Sequence, residues 1–133
     1  MMESLSSEQK EKALYILNRL LGVLDTLKER TNMIHSSDDF IDSSIGLEKL
    51  DAACMVIEAI GESFKNLDKL TDKKLLITYP SIDWKQVMGV RDVIAHHYFD
   101  IDAEEIFSII DNDLATLKEA ILYFKAELNS NNS

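Results

Sequence analysis

The stretch Met88-Gly89-Val90-Arg91-Asp92-Val93-Ile94-Ala95-His96-His97-Tyr98-Phe99 gathers two of the chain's three histidines beside an arginine and a tyrosine. These side chains suit cleavage of a phosphodiester without a metal. An imidazole moves the 2′-hydroxyl or leaving-group proton near neutral pH, and a guanidinium grips a phosphate through two donors. A phenol adds a further donor, or a hydroxyl open to modification. Helical geometry constrains how they meet. At 100° per residue Arg91 and Tyr98, seven apart, share a face, whereas His96 lies about 140° around the axis from Arg91. One straight helix does not aim all three together. Either the helix unwinds near His96, which the Phe99-Asp100-Ile101-Asp102 break permits, or Arg and His meet across a two-fold interface in a composite groove. The same residues have plainer uses. An Arg beside Trp84, Val87 and Ile94 often serves as a structural ion-pair partner, and a helix-end His often caps carbonyls or complements the helix dipole.

Other chemistries find less support. Adjacent His96 and His97 point about 100° apart on a helix, no HExxH or carboxylate-plus-His spacing accompanies them, and Cys54 has no partner cysteine, so no metal site is expected. No GxSxG elbow and no Gly-rich phosphate loop is present, and no cofactor is expected. His35 has no such company and reads as a loop histidine. Fourteen Lys plus Arg against 24 Asp plus Glu give a net charge of −10, which excludes a whole-surface grip on nucleic acid, so any RNA site is local. Residues 99–133 carry net −6 and residues 1–98 net −4, so the C-terminal third repels phosphate. Lys65, Lys69 and Lys73, spaced i, i+4, i+8, form a candidate basic strip, or simply a solvated helix face.

The elements that must position these residues read as helices. The 133 residues contain only four Gly and one Pro, which predicts an all-α, up-and-down bundle of four main helices plus short helical pieces. One domain over 1–133 is expected, with its core at about 8–128 and a frayed tail at 129–133. Leu14, Leu17, Leu21 and Leu24, with Leu20 and Leu27 alongside, predict a first helix over about 8–31, and Ser6 with Gln9 offers a capping box. Leu50, Ala53, Ile57, Ile60, Phe64 and Leu67 predict a second over about 44–70. Between them, residues 36–43 hold at most one short helical turn. Residues 71–82, with Tyr79-Pro80, form the main internal joint. Asp83 as N-cap with Gln86 opens a helix carrying Trp84, Val87, Val90, Arg91 and Ile94, and Asp102 with Glu105 repeats that signal. Ile110, Leu114, Leu117, Ile121, Phe124 and Leu128 form the final stripe. The longest apolar run, Ala52 to Ile57, is far too short for a membrane span, and the lone Cys54 without a signal-like N-terminus predicts a cytoplasmic protein.

Arg91-x4-His96-x-Tyr98 resembles the R-x4-H-x-Y signature of HEPN-domain proteins, specifically the HepT-type toxins of prokaryotic toxin–antitoxin pairs. Trp84 with Gly89 and Arg91 resembles the family's W-x-x-x-x-G-x-R lead-in, Ile60-Gly61-Glu62 its I-G-E segment, and Asp39-Phe40 its D-F step, so the resemblance covers about residues 8–127. Asp92 and His97 depart from the family's usual residues at those positions. The resemblance implies a HEPN-like bundle that forms a homodimer with both R-x4-H motifs in one cleft. It further implies a metal-independent endoribonuclease acting on RNA, paired with an MNT-type nucleotidyltransferase antitoxin that in some members adds AMP to the motif tyrosine, here Tyr98. Arg91 is then the phosphate clamp, His96 the general base or acid, and Tyr98 a phosphate contact and modification target. Glu62 and His97 are auxiliary, Glu62 orienting an imidazole or Arg91. The alternative is a catalytically inactive helical module that holds a nucleotide or a nucleotidyltransferase partner, a reading the net acidity favours.

Overall fold

The computed structural model describes residues 4–96 and 102–130, and the side chains of Ala95 and His96 lie outside that description. Every regular element among the described residues is helical. The first, α1 (Ser7–Arg30), starts where Ser6 accepts from the Gln9 amide and the Gln9 side chain accepts from the Ser6 amide, the expected capping box. Its buried stripe is Ala13, Leu17, Leu20, Leu24 and Leu27. Leu14 and Leu21 are only half-buried, so the inward face is rotated from the expected one toward Leu20 and Leu27.

The chain then makes one short turn, α2 (Asp38–Ile41), which buries Phe40. Ser43 caps α3 (Ser44–Leu70) by accepting from the Gly46 amide. Gly46 is required there: a Cβ would run into the carbonyl oxygen of Asp39 and lie 2.9 Å from that of Phe40. The expected core residues of this helix, Leu50, Ala53, Ile57, Ile60, Phe64 and Leu67, are all buried. Thr31 and Thr71 close α1 and α3 in the same way, each buried hydroxyl donating to a carbonyl four residues back, at 2.8 and 2.9 Å.

The joint contains a 3-10 turn, Leu76–Thr78. Asp83 then caps α4 (Trp84–Met88) by accepting from the Gln86 amide. Here the structure departs from the single helix expected. The chain breaks at Gly89 and restarts as α5 (Val90–His96). Asp102 caps α6 (Ala103–Ser108), a π-helical segment spans Ile109–Asp113, and α7 (Leu114–Ser130) completes the fold. The π segment explains the final stripe, because its wider turn absorbs two successive four-residue steps, Ile106 to Ile110 to Leu114, before the 3-4 rhythm of Leu117, Ile121, Phe124 and Leu128. Asn129 and Ser130 belong to α7 rather than to the frayed tail expected from residue 129.

Packing centres on α3, which contacts α1, α2, α4, α5 and α6, while α7 lies against α1. Trp84 pins α4 into this arrangement. Its ring lies 5.0 Å from Phe64 of α3 and 5.6 Å from Phe124 of α7, and its indole N–H donates to the Tyr79 carbonyl at 2.9 Å. Gln9 ties the bundle at the C-terminal end of α3. Besides capping α1, its amide nitrogen donates to the Leu70 carbonyl at 3.1 Å and to the Asp72 carboxylate at 3.0 Å.

Candidate functional site

The candidate site begins with a glycine. A Cβ on Gly61 would meet Val90 Cγ1 at 2.7 Å and the Val87 carbonyl oxygen at 2.8 Å, so the joint between α4 and α5 lies directly on the α3 backbone. Trp84 anchors α4 from below, and Gly89 turns the chain between Val87 and Val90. The next residue on each side of that contact is chemical. Glu62 follows Gly61 on α3, Arg91 follows Val90 on α5, and their side chains face one another at 3.9 Å (Nη1 to Oε1).

This is a loose pair in an open place. Arg91 is 62% and Glu62 40% exposed at the side chain, so the guanidinium keeps donors free for an incoming anion. A close bidentate fork would leave fewer. The structure therefore brings together two of the residues singled out from sequence, Arg91 and Glu62. Residue 96 is the last position of α5, five residues from Arg91 on an unbroken helix. His97 and Tyr98 lie outside the described residues. His35 sits in the turn before α2, exposed, its backbone amide donating to Asp39.

Beside the pair, a cleft of about 490 Å³ opens between two walls. Gly61, Val87, Val90 and Val93 line one wall, and Glu105, Ser108 and Asp113 the other. Partial desolvation in the cleft raises the Asp113 carboxyl above its ordinary pKa. Sequence reading missed this cleft because residues 61, 90 and 113 have no common motif and meet only through packing. The one available signal was the pair of successive four-residue steps leading to Leu114. Among the described residues no group of three or more His, Cys, Asp or Glu side chains is placed to hold a metal ion. No described helix is long and apolar enough to cross a membrane.

The described residues form an all-α bundle, and family membership makes its fold HEPN-like. The chain belongs to the ribonuclease HepT-like family, whose model matches residues 20–124, a span that includes Glu62, Arg91, His96 and Tyr98. Among its relatives, a Methanocaldococcus jannaschii protein named "Gamma-glutamylcyclotransferase and putative RNase" is 32% identical over 123 residues. That match covers 92% of this chain and 51% of the relative, so the chain spans about half of that protein's length. The "Probable ribonuclease HepT" of Thermococcus cleftensis is 28% identical over 102 residues, 77% of this chain and 86% of that protein. No solved structure matches.

Proposed function

We propose that this protein is a metal-independent endoribonuclease, the toxin of a toxin–antitoxin pair whose antitoxin is an MNT-type nucleotidyltransferase. The observation that carries the reading is the exposed Arg91 guanidinium held loosely by Glu62 within the span matched to the ribonuclease family. In the reaction His96 takes the 2′-hydroxyl proton, O2′ attacks phosphorus, and the P–O5′ bond breaks. The products are a 2′,3′-cyclic phosphate and a 5′-hydroxyl that receives a proton on leaving. Arg91 binds the non-bridging oxygens, where charge accumulates in the transition state. Glu62 positions the guanidinium until the phosphate arrives, and Tyr98 contacts phosphate or accepts AMP from the antitoxin.

The continuity of α5 bears on how Arg91 and His96 cooperate. With the chain helical from Val90 through His96, positions 91 and 96 stay about 140° apart. That supports the two-chain alternative, in which a homodimer pairs Arg91 of one copy with His96 of the other. RNA incubated with the pure protein in EDTA should be cut and should carry 2′,3′-cyclic phosphate ends, and His96→Ala should abolish cutting while leaving the circular dichroism spectrum unchanged. A strict requirement for a divalent ion would reject the mechanism. Expression alone should arrest growth and co-expression with the nucleotidyltransferase should relieve it.

A further inference from the structure

The exposed face of α3 changes sign at the candidate site. At 100° per residue Asp51, Glu58, Glu62, Lys65 and Lys69 fall within about 60° of one another. The three carboxylates precede the two lysines in that order, and Lys73 follows just past the helix end. The changeover takes one turn, between Glu62 and Lys65, at the point where Arg91 reaches α3. Lys65, Lys69 and Lys73 are exposed and make no ion pair among the described residues. Lysines near a helix end also complement the helix dipole, but a second feature beside them does not have that explanation. Tyr15 of α1 is 63% exposed and lines a shallow cleft with Asn66 and Leu70 of α3, and the Arg19 guanidinium lies 5.9 Å from its ring centroid. Two carboxylates, Glu8 and Glu11, line the same cleft, Glu8 being paired with Lys12 at 2.9 Å.

We propose that the lysine strip Lys65–Lys69–Lys73 is a track for single-stranded RNA that holds the nucleotides on one side of the scissile phosphate, with Tyr15 as a platform on which one of their bases stacks. This rests on the ribonuclease reading above. The chemistry divides cleanly between the two features. Phosphates lie on the lysines, about 6 Å apart along the axis from Lys65 to Lys69. The cleft suits a base because its carboxylates repel phosphate, accept from exocyclic amines and leave an aromatic face open. The acidic half of α3 repels a strand running the other way, so the footprint is one-sided.

The test compares the wild-type chain with the Lys65→Gln/Lys69→Gln/Lys73→Gln triple variant on a 12-nucleotide single strand and on a dinucleotide. The wild type should prefer the longer RNA, in kcat/KM, by roughly tenfold or more, mostly through KM, and the triple variant should lose that preference. An unchanged preference overturns the proposal. If neither chain cuts RNA, the ribonuclease reading has failed, and equilibrium binding of a labelled 12-mer decides the track separately. The triple variant should lower the slope of log K against log salt by about 2, for three contacts at about 0.7 each, and equal slopes overturn the track. Tyr15→Phe should keep the long-RNA preference or affinity and Tyr15→Ala should reduce it, and equal behaviour of the two removes the stacking platform.

Discussion

In the proposed reaction Arg91 acts on the phosphate while its ion pair with Glu62 contributes little to stability. Both partners are solvent-accessible and 3.9 Å apart, a geometry whose net stabilisation is about 0 to 1 kcal/mol. Arg91→Lys should therefore leave the melting temperature nearly unchanged. Cleavage should fall by roughly a hundredfold, because an ammonium cannot supply two parallel donors to the phosphate. A parallel loss of stability and activity in thermal and kinetic assays would mark the pair as merely structural. Cys54 presents the opposite case. The residue is 5% exposed, and burial, with the carboxylates of Asp51 and Glu58, pushes the thiol pKa up to about 11. Thiol reagents at neutral pH should label the native chain very slowly and the denatured chain at once, since the thiolate is the reacting form.

One contact between helices positions the candidate site, another holds the bundle together, and each can be broken alone. Gly61→Ala places a methyl 2.7 Å from Val90 Cγ1 and 2.8 Å from a backbone oxygen. Backbone cannot swing aside as a flexible side chain does, so α5 must move. The cost should be about 1–3 kcal/mol in chemical denaturation, with a drop in cleavage because Arg91 travels with α5. At the C-terminus of α3, Gln9 joins two helix termini through one side chain. Gln9→Ala removes the reciprocal cap of α1 and the donors to Leu70 and Asp72, and should cost about 1–2 kcal/mol in stability with little change in catalysis. The contrast between these two variants separates what holds the bundle from what aims the site.

For the whole molecule, Asp113 contributes to the pH dependence of folding and the proposed dimer sets a stoichiometry. Asp113 has its pKa raised in the fold by burial, so the folded chain binds that proton more tightly than the unfolded one. Its contribution favours folding at low pH and is lost as pH rises through the folded value. Asp113→Asn should thus raise the melting temperature at neutral pH, and the gain should vanish once the solution is acidic enough to protonate both states. Mixing tests the dimer. If Arg91 and His96 act from different copies, co-refolded Arg91→Ala and His96→Ala chains regain roughly a quarter of wild-type sites, since half the dimers are mixed and each carries one intact pair. If both act from one chain, the mixture stays inactive.

The all-helical class, the capping box at Ser6 and the extent of α3 were legible in the sequence. Each rests on local chemistry: residue periodicity and side chains that cap their own helix. The rotation of the α1 stripe, the break at Gly89, the π segment before Leu114 and the carboxylate-lined cleft were not legible, because they answer to neighbours far away along the chain. Gly61 illustrates the boundary. Its place in an I-G-E segment was readable from residue order, but the reason for it, a carbonyl and a valine of another helix pressing on its backbone, exists only once α3, α4 and α5 are packed. The same packing sets Glu62 opposite Arg91, because a helical register fixes directions within one element and only close contact between elements fixes distances across them.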